Sequence, residues 1–361
     1  MGKYILVGAN PAEDASAHRG GVLTLSKSLI TYAERHGHTI EVINTLRSGF
    51  DNLSLRLRLK AGWNRVLKLL KSLRATNCSG VIILSGAGLS FYERIILSSI
   101  CRWFGVKDLF VIVDGWFLDV RKAGCFKRYW LGLLLQIPHK LAACGGQWSD
   151  LFREFGVTSS HIVQIHFWLS ETFAISDHHK TITLGRPLRF IFVGWMIREK
   201  GIYEILAAIE ELRKSYKFVF TFVGDGALLN DVRQEIRELG WEGSVSALGW
   251  VSDAEFQHIL SSADVFVLPS YAEGFPMSLI EAFSKGLPAI CSDVGGISDS
   301  LRDGVNGYLI PPRQIQPIIE AMKRYLSNPQ IIADHSRAAL DIVKTNHMAE
   351  TNCRLFFEAL R

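Results

Sequence analysis

Short runs that are apolar on both faces recur along this chain, each separated from the next by a stretch of helical periodicity. Tyr4 to Val7 comes first, followed by Thr39 to Ile43, Val81 to Leu84, Leu109 to Val113 and Lys140 to Cys144. A strand with apolar residues on both faces must be covered on both, and a parallel sheet with crossover helices does that. The second half repeats the pattern with Leu188 to Val193, Lys217 to Val223, Asp264 to Leu268 and Pro288 to Cys291. At 361 residues the chain is long enough for two such domains, so the fold class is α/β with two Rossmann-like halves. No G-x-G-x-x-G dinucleotide fingerprint is present.

Charge divides the halves. Residues 1 to 185 hold 22 basic and 13 acidic residues, net +9, and residues 186 to 361 hold 18 and 22, net −4, giving +5 for the whole. An anionic partner is therefore expected for the first half. Between Asp51 and Glu93 no acidic residue occurs, while Arg56, Arg58, Lys60, Arg65, Lys68, Lys71 and Arg74 flank a helical stripe of Trp63, Val66, Leu67, Leu70 and Leu73. Such a helix lies in a lipid headgroup region, or else packs its stripe on the sheet with its cations merely solvated. A second basic and aromatic cluster runs from Arg121 to Trp130; no nucleic-acid motif accompanies either. No stretch has the ~20 apolar residues of a membrane span, and the start has too short an apolar run for a signal peptide. The expectation is a cytoplasmic protein, peripheral on the inner membrane face. Cys78, Cys101, Cys125, Cys144, Cys291 and Cys353 are scattered without C-x-x-C spacing and read as reduced packing residues, with no metal site.

Chemistry concentrates in Asp264 to Gly286, DVFVLPSYAEGFPMSLIEAFSKG. Pro269 ends a strand and Met277 to Lys285 is apolar at helical spacing, so the loop between carries Glu273 at its tip, with Glu281 on the first turns of the helix. Gly274 lets backbone approach a ligand, and Pro276 suits an early helical position that needs no N–H. The amides of Met277, Ser278 and Leu279 then face out with the positive end of the helix dipole, an anion site fit for a diphosphate. Each Glu can accept hydroxyl hydrogen bonds from a sugar or a ribose. The plainer alternative is an acidic pair on the surface beside a helix start.

This pattern, two glutamates separated by seven residues with Gly-Phe-Pro after the first, resembles the donor-site motif of the retaining glycosyltransferases of family 4. The likeness extends through KGLPAICSDVGGISD and GVNGYLIPP. It implies the GT-B fold, in which two Rossmann-like domains face each other across a cleft. Residues 1–185 would then take the acceptor, residues 186–345 the nucleotide sugar, and 346–361 would form a helix returning to the first domain. The resemblance further implies that Glu273 holds hydroxyls of the transferred sugar and Glu281 the ribose diol. Gly274, Phe275, Pro276, Met277 and Ser278 would line the donor.

Elsewhere the match is uneven. In GWMIREKGIYEIL, relatives usually carry Arg after the Gly and Lys five residues later, both on the diphosphate; here Trp195 takes the first place and Lys200 the second. Lys200 inherits the phosphate role, and Arg198 either substitutes for the missing Arg or is an exposed residue at a helix start. Gly224 opens a loop bordering the nucleotide. Gly21, at the start of the first helix, faces the donor in the family or makes a structural turn. Asp114 stands where relatives commonly have a histidine, and it either binds or deprotonates a hydroxyl or caps a turn. His166, His178 and His179 read as linker residues. Ser252 and Glu255 make a capping box.

The expected activity is a retaining, metal-independent transfer of sugar from a UDP-sugar or GDP-sugar to a hydroxyl acceptor, with a lipid-linked saccharide in bacterial surface polysaccharide assembly as the candidate. No other cofactor is expected. A nucleotide-sugar epimerase and a non-catalytic sugar-nucleotide-binding subunit are the alternatives, the latter because of Trp195 and Asp114.

Overall fold

The computed structural model describes residues 2–11, 21–45, 55–75, 77–86, 88–113, 120, 123–171, 173–183 and 185–361. It separates into two compact units, Met1–Ser170 with Met348–Arg361, and Glu171–His347. Asp114, Arg19, Gly20 and the Arg121 end of the second basic cluster fall outside the described residues.

The first unit is a six-stranded sheet in the order β2-β1-β3-β4-β5-β6, every pairing parallel. Its elements are β1 (Lys3–Gly8), α1 (Gly21–Arg35), β2 (Thr39–Asn44), α2 (Leu55–Ala75), β3 (Cys78–Ser85) and α3 (Leu89–Trp103). They continue as β4 (Asp108–Ile112), α4 (Cys125–Leu134), β5 (Lys140–Cys144), α5 (Gly146–Glu154) and β6 (Ile162–Ile165). A last helix, α12 (Ala349–Glu358), packs against α1 although the whole second unit intervenes in sequence. Phe357 lies 4.8 Å from the Tyr4 ring and 5.3 Å from Tyr32, Phe356 lies 5.3 Å from Trp168, and Asn352 accepts the His166 amide at 2.9 Å.

The second unit repeats the plan in the order β12-β11-β10-β7-β8-β9, again all parallel. It comprises β7 (Leu188–Val193), α6 (Ile202–Leu212), β8 (Phe218–Val223), α7 (Leu229–Glu238), β9 (Val245–Ala247) and α8 (Asp253–Ser262). Then come β10 (Val265–Leu268), α9 (Met277–Ser284), β11 (Ala289–Ser292), β12 (Gly307–Ile310), α10 (Ile315–Ser327) and α11 (Ile331–Asn346). Phe190, Phe192, Phe220 and Phe222 share one face of this sheet by register and Phe266 lies on the other, all of them buried, so aromatic rings dominate the layer on one side.

Several expectations need correction. His166 is not a linker residue: it follows Ile162–Ile165, a strand paired with β5, and nearby Trp168 is buried. His166 consequently belongs to the first unit. On α2 the buried residues are Arg65, Leu69, Ser72 and Leu73, whereas Trp63 and Leu67 are exposed, so the stripe as a whole does not pack on the sheet as its second alternative required. Arg65 turns in because Glu93 on α3 receives it through two bonds, of 2.6 and 2.9 Å. Of the cysteines, Cys125 is exposed and Cys78 half-buried. No described helix is long and apolar enough to cross a membrane.

Candidate active site

In an open parallel sheet a ligand crevice forms outside the carboxyl ends of the strands where the chain direction reverses, because neighbouring loops diverge there. In the second unit that point lies between β7 and β10. From β7 the chain winds outward through β8 and β9, then returns to β10 and winds the other way. Lys200 ends the loop after β7 and Glu273 sits in the loop after β10, 73 residues on.

The two side chains meet. The Lys200 ammonium is 2.5 Å from Glu273 Oε1, and the same oxygen accepts a 2.6 Å bond from the Ser270 hydroxyl. Glu273 is only 8% exposed and Lys200 20%, so water screens the pair weakly. Ser270 and Lys200 together fix the rotamer of the carboxylate.

Backbone contacts hold this constellation. The Tyr271 amide donates to the Glu199 carbonyl at 2.8 Å, tying the two loops directly. Met196 donates to the Asp225 carbonyl at 2.8 Å and accepts from the Leu228 amide at 2.8 Å, which adds the loop after β8. Gly224, at φ 135°, belongs to that loop; a Cβ there would fall 1.9 Å from the Gly194 carbonyl oxygen. The loop after β11 closes the other side. Gly296 donates to the Gly274 carbonyl at 2.9 Å, and Gly295, at φ 58°, lies so close that a Cβ would stand 1.9 Å from the Glu273 carbonyl oxygen.

Pro276 is the N-cap of α9, in extended conformation, and Met277 is the first helical residue. Three outward amides were expected, but the Leu279 amide donates back to the Pro276 carbonyl at 3.1 Å. Met277 and Ser278 therefore supply the donors at the positive helix end, next to Glu273, since only they precede the helix's own hydrogen bonds. Phe275 packs 5.6 Å from the His347 ring, whose Nε2 is 2.8 Å from the Ser300 hydroxyl. Glu281 is half-buried on α9, and its carbonyl accepts from the Ser284 hydroxyl.

Around this core stand Tyr271, Glu204, Arg313 and Trp250, which sequence reasoning passed over. Tyr271 donates to Glu204 at 2.6 Å, and the Arg313 guanidinium lies 4.6 Å from its ring centre. Burial, with the Glu204 carboxylate next, raises the Tyr271 hydroxyl pKa, and a hydrogen bond from Arg198 opposes this. Arg198 thus touches Tyr271. Trp195, 36% exposed, stands edge-on to Trp250, their centroids 5.4 Å apart. The aromatic content of GWMIREKG and ALGWVSD was the available signal. Ser252 accepts the Glu255 amide as the expected cap.

Gly21 begins α1, in the first unit. A pocket of about 280 Å³ at the amino edge of the first sheet is lined by Arg102, Lys107, Asp108, His139 and His161, and by none of the residues expected at the site. Among the described residues no group of three or more His, Cys, Asp or Glu side chains is placed to hold a metal.

Residues 176–341 match the family model described as Glycosyl transferases group 1. Over 145 residues, 39% of this chain, there is 42% identity to a protein of Bacillus subtilis (strain 168) named as a candidate teichuronic acid biosynthesis glycosyltransferase, TuaC. Over 107 residues, 29% of this chain, there is 38% identity to an Escherichia coli UDP-Gal:alpha-D-GlcNAc-diphosphoundecaprenol alpha-1,3-galactosyltransferase. These matches span only 34% and 27% of the relatives' own lengths. The solved structure of sucrose-phosphate synthase from Thermosynechococcus elongatus superposes with a TM-score of 0.77 over 98% of this chain and 97% of that one, at 16% identity. That likeness establishes the fold, the two Rossmann-like domains of GT-B.

Proposed function

We propose that this chain is a glycosyltransferase that moves a sugar from a nucleoside diphosphate sugar to a hydroxyl acceptor, with retention at the anomeric carbon and without a metal ion. The observation that carries the reading is the Lys200–Glu273 pair at the reversal point of the second sheet, beside the positive end of α9. A cation, two helix amides and a buried carboxylate within one crevice suit a diphosphate joined to a polyol. Lys200 and the amides of Met277 and Ser278 face the phosphates, Glu281 the ribose diol, and Glu273 the sugar hydroxyls. Gly224, Gly274, Phe275 and Pro276 line the donor.

In the transfer the bond from the anomeric carbon to the diphosphate oxygen breaks and a bond to the acceptor oxygen forms on the same face. The electron pair leaves with the diphosphate, whose developing charge Lys200 and the helix amides stabilise. The acceptor proton passes to the leaving oxygen or to Asp114. The galactosyltransferase relative, named for a UDP-sugar donor and a diphosphoundecaprenol-linked acceptor, supports a UDP-sugar and a lipid-linked saccharide here. With a lipid-borne acceptor, the basic segment Arg56 to Arg74 makes a peripheral contact with the cytoplasmic membrane face.

The test measures binding and transfer separately across UDP-sugars and GDP-sugars. Glu281→Ala should weaken nucleotide binding, whereas Lys200→Ala should bind and lose roughly a hundredfold in turnover, as for other oxyanion-stabilising donors. Undiminished transfer by the Lys200 variant discards its role. Interconversion of donor sugars without an acceptor would replace transferase by epimerase.

A further inference from the structure

Twelve of the twenty exposed large apolar side chains among the described residues sit on three helices of the first unit, α2, α3 and α4. Crossover connections between parallel strands are right-handed. From β2 to β6 every crossover runs the same way across the first sheet, and only that from β1 to β2 runs back. So α2, α3 and α4 cover one face of the sheet, and α1, with α12 against it, covers the other.

Each of the three helices carries an apolar stripe on its outer side as well as buried residues on its inner one. On α2 the outward residues are Leu59, Trp63 and Leu67, spaced by four, with Trp63 63% exposed. On α3 they are Tyr92, Ile96 and Trp103, the last 81% exposed. On α4, Phe126, Tyr129, Trp130 and Leu133 follow the i, i+3, i+4, i+7 rule of a helix face, with Phe126 81% exposed. A helix layer on a soluble domain turns polar residues outward, so three adjacent outward stripes mark a surface that is covered in use.

Charge selects the cover. These helices hold one acidic residue, Glu93, which is spent on Arg65 and Arg94, each at 2.6 Å. Around the stripes stand exposed Arg56, Lys60, Lys68, Lys71, Arg102 and Lys127. We infer that the outer face of α2, α3 and α4 docks on an anionic lipid bilayer, its tryptophans, tyrosines and phenylalanine entering the headgroup boundary and its cations meeting lipid phosphates. The inference deepens the lipid-linked acceptor reading and rests on it for the reason the enzyme visits a membrane. It extends the contact from the basic segment of α2 to a three-helix face in which aromatic residues of α3 and α4 share the binding.

Sedimentation of the whole chain with phosphatidylcholine vesicles, containing or lacking phosphatidylglycerol, tests this directly. The protein should pellet with the anionic vesicles and be released by salt. Trp103→Ser with Phe126→Ser should abolish pelleting, and Lys68→Gln with Lys71→Gln should weaken it roughly 25-fold, about fivefold per cation near an anionic surface. Both double variants should keep the wild-type circular dichroism spectrum and the wild-type thermal shift with UDP, which reads the second unit and separates failure of the docking face from failure of the transferase reading. The inference is overturned if the wild type stays in the supernatant with both vesicles, or if the aromatic variant pellets as the wild type does. A wild-type dimer that the aromatic variant converts to monomer would overturn it too, since the cover would then be a second copy.

Discussion

Glu273 holds its place through one oxygen that accepts from both Ser270 and Lys200, and the consequences of changing any of the three differ. Glu273→Gln leaves the shape intact but removes the charge that holds Lys200, so UDP should bind as well as before or better while sugar transfer falls. A Kd for UDP weakened in parallel with the rate would place Glu273 on the nucleotide instead. Gly295→Ala attacks the same residue from behind: its Cβ would overlap the Glu273 carbonyl oxygen at a φ of 58°. Strain of that kind costs roughly 1–3 kcal/mol, so urea unfolding should show a lowered midpoint, with transfer lost further than Kd. A Gly295→Ala protein with both unchanged would show that the loop after β11 does not support the site. Lys200, Glu273 and Glu281 are singled out by short motifs in the sequence. Their pairing is not, since Lys200 and Glu273 lie 73 residues apart and only the order of strands brings β7 beside β10. The Leu279 amide was misjudged because nothing in the sequence shows a first turn closing back on Pro276.

Elements were legible where they were apolar on both faces, and less so at the edges. The interior strands β1, β3, β4, β5, β7, β8, β10 and β11 stand within a few residues of where the apolar runs put them. Three of the four edge strands, β6, β9 and β12, are only three or four residues long and pair on one side, so they carry little pattern, whereas the fourth, β2, has six residues and stands where Thr39 to Ile43 put it. The join between β4 and its neighbours exposes a cost that sequence does not show. Asp108 opens β4, buried, accepting the Ser98 hydroxyl of α3 at 2.6 Å and the His139 amide just before β5 at 2.9 Å. Burial outweighs these bonds and lifts its pKa to about 6. The folded protein thus binds a proton more readily than the unfolded chain does. The stability this group contributes is complete below the ordinary aspartate range, near pH 4, and is lost as pH rises to 6, by about 3 kcal/mol for two pKa units. Asp108→Asn keeps an acceptor for His139 and offers a donor to Ser98 without a charge. Its unfolding free energy should decline less than that of the wild type between pH 4 and 6.5, and it should be no less stable at pH 7.5. Parallel pH profiles for the two proteins would mean that Asp108 is not a buried titrating group.

At the scale of the whole molecule, the chain leaves the first unit at Ser170, builds the second, and returns at Met348 to finish the first. The returning helix is structural for that first core, because Phe356, Phe357 and Cys353 are all buried in it and Phe357 sits among Tyr4, Tyr32 and His38. A missing aromatic ring in such a cluster costs about 3–5 kcal/mol. Each unit has its own sheet and its own aromatic or aliphatic core, so the loss should not be shared equally. Calorimetry of Phe357→Ala should show one transition moved down by several degrees and a second left in place, with two-state behaviour broken where the wild-type transitions overlap. UDP should raise the unmoved transition, since the residues assigned to the diphosphate all lie in the second unit, and should leave the lowered one nearly where it was. A single transition that moves as a whole, both with the substitution and with UDP, would mean that the two units unfold together and that α12 stabilises the entire chain rather than the sheet it packs on.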